Sequence, residues 1–359
     1  MEFTFWRERK KLFLVLAGIA VFLAALIGGR LFFEYLAEDS ATDENSLAHS
    51  ISGLVKPPVI ENEILPKEKL SPLTGLEIDN STDIKAISAM IENHPASRPQ
   101  MRGLNEAGIV IEALAEGGIT RFLAVFDTST KKRVGPIRSA RPYFVDWAEE
   151  FGGAFVHAGG STTALEQLSE SDLLDFDEDG EILYRDFQFL QPHNLFANLA
   201  DVRETKFENS LSESWFDFTG EIPASAASIS QLSLDFSLPS YIVDYVYDTA
   251  DGDYKRLLGG TVHTANGDSI RPTNIIVQFT EYFPIDDAGR LELRTTGEGI
   301  AWYFSEGKFW QGIWRKSGGR TRFYDDFGNP ASLNPGQTFI EILDTPDRVE
   351  VTQSGLPVE

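Results

Sequence analysis

Arg138 and Arg141 stand three residues apart in the segment GPIRSARP, residues 135–142. A guanidinium group is a planar fork of donors that grips phosphate or carboxylate through paired hydrogen bonds. Pro136 and Pro142 restrain the backbone on either side of the two arginines. Residues 91–145 hold eight Lys or Arg against five Asp or Glu, whereas residues 170–220 hold three against thirteen. In a chain of formal net charge -24, that local excess marks a candidate anion site composed of Arg98, Arg102, Arg121, Arg138 and Arg141. The plainer reading is internal ion pairing with Glu92, Glu112 or Glu116. Lys131 to Arg133 read as a solvated turn.

Two other patterns bear on chemistry. His157 precedes Ser161 by four residues across a Gly-Gly turn, so both join the candidate anion site. A Ser-His nucleophilic pair would also require an orienting carboxylate and an oxyanion hole. No G-x-S-x-G elbow accompanies it, and a hydrogen-bonded structural histidine is the competing reading. The run DFDEDGEILYRD places Asp175, Asp177, Asp179, Glu181 and Asp186 in a calcium-loop pattern, with Gly180 at position six and Ile182 at position eight. Position twelve is Asp where Glu is usual, so bidentate closure is in question. A solvated acidic loop is the alternative to Ca2+. No P-loop, dinucleotide fingerprint or zinc motif is present, so no other cofactor is expected.

Composition narrows the classes further. The chain has 359 residues, 42% of them hydrophobic, enough for two ordinary domains. Its acidity disfavours nucleic acid as a partner, because phosphate backbones need a basic surface. With no cysteine, disulfides, thiol nucleophiles, Cys-based metal sites and lipid attachment at a lipoprotein box are excluded.

The elements that must position these residues fall into blocks. Residues 1–11 are a basic tail, and Leu12 to Gly29 form an uncharged run that as a helix rises about 27 Å, close to a bilayer's hydrocarbon thickness. With Leu31 to Phe33, residues 12–33 predict a transmembrane signal-anchor. Arg7, Arg9, Lys10 and Lys11 before it place the N-terminus in the cytoplasm and the rest outside. Residues 34–69 are polar and acidic, with a Pro pair, and read as a flexible linker. Residues 70–220 mix strand and helix patterns, with helices expected over RPYFVDWAEEF and STTALEQLSESDLL. Residues 238–350 alternate toward strands punctuated by Asp-Gly, Asn-Gly and Gly-Gly turns. The expected fold class is α+β: mixed sheet layers with helices in the N-terminal domain, an antiparallel β-rich C-terminal domain, and one N-terminal transmembrane helix.

The stretches MIENHPASRPQMRGLNEAGIVIEALAEGGITRFLAVF and VGPIRSARPYFVDWAEEFGGAFVHAGGSTTALEQL resemble the YerB-type family of bacterial lipoproteins, a domain of unknown function. PHNLF at 192–196 and LNPGQTFIEIL at 333–343 resemble its later motifs. The likeness runs over roughly residues 70–350 and includes both the N-terminal and the C-terminal domain. It implies an α+β first domain, a β-rich second domain and a place outside the cytoplasmic membrane. It supplies no catalytic residues. This chain departs where members carry a lipidated cysteine. A fainter similarity of texture links RFLAVFDTSTKKRVGPIRSARPYFV to LytR-CpsA-Psr envelope proteins, an analogy of pattern only.

The expected function is therefore that of a membrane-anchored, extracytoplasmic cell-envelope protein, a binding or scaffold module for envelope proteins or wall polymers. Its expected location is the cell membrane, single-pass, with the membrane itself a partner through the N-terminal helix. No catalytic constellation stands out. The alternative is an enzyme or carrier that acts on a phosphorylated envelope substrate through the arginine-rich anion site.

Overall fold

Ala86–Glu92 and Thr120–Asp127 pair antiparallel, with Ala89 opposite Ala124. Both are apolar in the main and buried almost throughout, a pattern that fits a sheet covered on both faces. The computed structural model describes residues 69–354 except 80–83, 128–132, 178–179, 181, 206–210, 212 and 287–288. Lys67–Glu359 form one compact unit.

Its dominant feature is a 15-stranded mixed sheet. In chain order the strands are β1 (Ala86–Glu92), β2 (Ile109–Leu114), β3 (Thr120–Asp127), β4 (Ala154–His157), β5 (Leu174–Asp177), β6 (Ala227–Asp235), β7 (Ile242–Asp248), β8 (Asp253–Leu258), β9 (Thr261–Val262), β10 (Asn274–Phe279), β11 (Gly297–Ser305), β12 (Lys308–Lys316), β13 (Arg322–Asp325), β14 (Thr338–Leu343) and β15 (Val349–Gln353). Their spatial order is β9-β8-β7-β6-β12-β11-β10-β14-β2-β3-β1-β4-β5, with β13 beside β12 and β15 beside β6. Strand β14 lies parallel to both β10 and β2, with Glu341 in register with Glu112. Strands from the two ends of the sequence thus meet in one sheet.

Alternate side chains of each central strand enter different cores. From β3, Phe122, Ala124 and Phe126 point into one apolar cluster, while Leu123 and Val125 point into the other. The second cluster is closed in part by helix α1 (Pro142–Phe151), whose Tyr143, Phe144, Trp147 and Phe151 are buried. Their helical spacing is the apolar stripe that docks it. Helices α2 (Thr162–Glu170) and α3 (Leu199–Glu204) complete the α-helices of the described residues, beside five three-residue 3-10 turns.

The α+β expectation is corrected: the fold is mostly β. The helical period is confined to those three short segments. The remaining buried runs are strands, which cover one another across the long sheet. Even SESDLL, expected to continue α2, leaves the helix at Ser171, and Leu174–Asp177 join the sheet as β5. The C-terminal part is also not purely antiparallel, because β10 and β14 run parallel. Among the described residues no helix is long and apolar enough to cross a membrane. The expected membrane segment at 12–33 lies outside the described residues.

Candidate functional site

The cis Gly135–Pro136 peptide leads into a stretch that lies along the edge residues of β1. The Glu92 amide donates to Pro136 O at 2.9 Å, and the Arg138 amide to Met90 O at 2.9 Å. Helix α1 then begins at Pro142, which lacks the amide proton that an N1 residue does not need. Arg141 is its extended N-cap residue. Arg138 and Arg141 are therefore held at the end of β1 and at the mouth of α1.

Both are paired. Arg138 Nη2 donates to Glu92 Oε1 at 2.7 Å. Arg141 forms a two-pronged contact with Glu116: Nε meets Oε1, and Nη2 meets Oε2 at 2.8 Å. Arg121 shares the same carboxylate at 3.3 Å and donates to Ser139 O at 2.9 Å. Burial chiefly, then the neighbouring Arg141 charge, pulls the Arg121 guanidinium down to about 10. Burial pushes the Glu116 carboxyl upward, but the Arg141 bond and the Arg121 charge outweigh it, and the net direction is down.

One layer deeper lies a polar network. Arg256 is fully buried and contacts Glu112 through Nη2, His263 through Nη1, and the Tyr245 hydroxyl at 3.0 Å through Nε. Asn93 donates to Glu112 at 3.0 Å and to Thr120 at 2.7 Å, and accepts from Arg98 Nε at 3.1 Å. Arg98 lies 4.8 Å above the Tyr241 ring, and its Nη2 is buried without a hydrogen-bond partner. Burial lowers Arg98. Glu341 bonds Tyr245. Burial above all, and then the adjacent Glu112 charge, raises it well above the usual carboxylate range. Burial, reinforced by the charges of Arg256 and Arg98, pushes His263 well down, so it is neutral.

The other sequence candidates sit elsewhere. Arg102 stacks over Phe189 and Phe196, at 5.9 and 5.8 Å from their ring centroids. Ser161 caps α2: its Oγ accepts from the Ala164 amide at 3.3 Å. His157 is buried, with Nδ1 2.8 Å from Gly159 O and Nε2 2.7 Å from Asp175 Oδ1. The Ser-His pair is therefore not assembled. Asp175 holds His157, Asp177 accepts from the Gly159 amide at 2.6 Å, and Asp186 accepts from the Gln188 amide at 3.0 Å. Asp179 and Glu181 lie outside the described residues.

Residues 73–212 match the N-terminal domain, and residues 232–340 the C-terminal domain, of the family described as "Protein of unknown function (DUF3048)". A Bacillus subtilis (strain 168) protein named "Putative lipoprotein YerB" is 32% identical over 302 residues, 80% of this chain and 90% of that protein. The chain belongs to the YerB family. The crystal structure of YerB from Bacillus subtilis superimposes with a TM-score of 0.71 at 30% identity, and the match covers 80% of this chain and all of that one.

In this YerB-family chain the residues missed from sequence are Asn93, Thr120, Tyr245, Arg256, His263 and Glu341, which form one network with Glu112, and His193 beside Glu92. A signal for Arg256 was present. Tyr254, Arg256 and Leu258 share one face of β8, and both neighbours are apolar and buried. An arginine on an apolar strand face needs an internal carboxylate. Nothing local announces which carboxylate, because Glu112 is 144 residues away in sequence.

Proposed function

We propose that the protein is an extracytoplasmic binding module of the cell envelope, and that Arg98, Arg121, Arg138 and Arg141 form its recognition surface for a phosphate- or carboxylate-bearing envelope component. The observation that carries this reading is a charge imbalance. Five guanidinium groups, those four and Arg256, face four carboxyl groups, Glu92, Glu112, Glu116 and Glu341. The guanidinium groups outnumber the carboxyl groups by one in a chain of net charge -24. Arg138 and Arg141 both act on the Arg121 charge, so the groups share one field. Side-chain exposures of 25% for Arg138 and 15% for Arg141 leave the cluster reachable from solvent. Gly117, beside Glu116, borders open space. The carboxylates preorganise the guanidinium forks, so an incoming anion meets donors already fixed.

The word lipoprotein in the relative's name supports a membrane-associated place outside the cytoplasm. Protease protection of intact cells against opened cells tests it. Degradation only after opening would count against that placement.

Binding is tested with the purified full chain and inorganic pyrophosphate, then with solubilised envelope fractions. Wild-type protein is expected to bind, and Arg138→Lys/Arg141→Lys to bind at least about tenfold more weakly, because loss of charged hydrogen bonds of about 1.5–3 kcal/mol each is involved. Unchanged affinity in a folded double variant, or no binding by the wild type at millimolar ligand, would refute the site. Release of inorganic phosphate during incubation would replace the binding reading with the phosphoryl-processing one.

A further inference from the structure

We propose that Glu92, His94 and His193 form a binding site for a divalent transition-metal ion of the zinc class. One ligand atom from each lies within 4.8 Å of the other two. The chain brings them together simply. Glu92 ends β1, His94 follows two residues later, and His193 arrives from the loop before Leu195–Asn198. The His94 and His193 rings stack at 4.9 Å between centroids and 14° between planes.

The details around Glu92 define where an ion fits. Arg138 holds Oε1 at 2.7 Å, and His193 Nδ1 lies 2.9 Å from Oε1 and 3.0 Å from Oε2, so Oε2 is the oxygen that Arg138 leaves for an ion. With metal–ligand bonds of about 2.0–2.1 Å, two ligand atoms of a tetrahedral site lie about 3.3 Å apart. The gap therefore has to open by only about 0.3 Å to admit the ion. Arg138 takes the part of an outer partner that orients a ligating carboxylate. Without metal, His193 Nδ1 donates to Glu92. With metal, that nitrogen offers its lone pair and the ring proton sits on Nε2.

Three features oppose the arrangement: Arg138 Nη2 lies 3.4 Å from His193 Nδ1, the near-parallel rings require one imidazole to turn before both can aim an in-plane nitrogen at one ion, and His94 Nδ1 accepts the Ala96 amide at 3.2 Å. Ligation through Nδ1 gives up this long bond. Ligation through Nε2 moves the ring proton to Nδ1, with the same loss. The ion's three bonds to protein have to outweigh that hydrogen bond, the turn of one ring and the nearby guanidinium charge. Two nitrogens and one oxygen suit zinc, cobalt or nickel, whereas calcium and magnesium take all-oxygen sets. Three protein ligands leave a fourth position open.

The test needs no anion, so it stands or falls separately from the recognition surface. Metal-free full-length protein is titrated with Zn2+ in competition with a chromophoric chelator, and with Co2+ followed by visible absorption. One equivalent should bind, and Co2+ should give the intense bands of a tetrahedral site. His94→Asn and His193→Asn should each weaken Zn2+ binding at least tenfold. Absence of a cobalt spectrum in the wild type would overturn the proposal, whatever the variants do. Equal affinity in the wild type and in both histidine variants, with unaltered thermal midpoints, would do so as well.

Discussion

Arg256 shows what a single residue can carry in this molecule. Its charge is fully buried and meets Glu112, with His263 and Tyr245 filling its other donors. Removing one partner of a buried pair leaves the other charge uncompensated. Arg256→Met is therefore expected to destabilise the protein by about 3–5 kcal/mol, measured by denaturant unfolding. A change below about 1 kcal/mol would mean that water reaches Glu112. His157 makes a pH-dependent contribution. Burial pulls its imidazole down most strongly, but the Asp175 and Gly159 bonds and the Asp175 and Asp177 charges outweigh it, and its folded value is raised above 6.5. A raised value means that the protonated form favours folding. The added stability is full below the unfolded value and disappears as pH rises through the folded one. Asp175→Asn should thus cost most stability between about pH 5 and 6.5, and progressively less above. A cost independent of pH would show that His157 does not titrate in that interval. Individual residues were legible unevenly. Arg138 and Arg141 stood out through prolines and charge contrast, and Glu92 and Glu116 were among the partners expected for them. His193 lies 101 residues from Glu92, and no local pattern links the two.

At the scale of the element, Ser161 separates a structural role from a chemical one. Its hydroxyl accepts from the Ala164 amide at the start of α2. Ser161→Ala should lower stability by about 1 kcal/mol, the usual cost of losing such a cap. Pyrophosphate affinity should not change, and a loss of binding at constant stability would return Ser161 to the site. The helices were readable because Pro142 and Ser161 are start signals and the aromatic spacing in α1 is helical. Strand faces were harder to read. In β1 all seven residues are buried, so the alternation that normally reveals a half-covered sheet is hidden. That concealment is why a mostly β fold read as layers of mixed type.

Across the whole molecule, β14 sits between β10 and β2 and is fully buried along its length. Residues 70–220 and 238–350 therefore share backbone hydrogen bonds within one sheet. Calorimetry of the full chain is expected to show a single main transition for this unit, because neither part can lose its strands without exposing an edge of the other. Two well-separated transitions would mean that the parts melt independently. Pairing across such distances could not be read locally. Thr338–Leu343 is an apolar strand by composition, but nothing in it specifies Ile109–Glu112 as its neighbours.

The position of β14 also sets an order of events for a chain that is made from its N-terminus. Strands β2 and β10 both emerge before residues 338–343, and each must wait with one row of amides and carbonyls unmatched. The seam closes only when almost the last strand arrives. A chain that stops short of Thr338 keeps two open, apolar edges side by side, and those edges invite pairing with other chains. This late strand thus acts as a check on completeness: a truncated product is exposed to aggregation and proteolysis, while the finished one hides the surfaces that would condemn it.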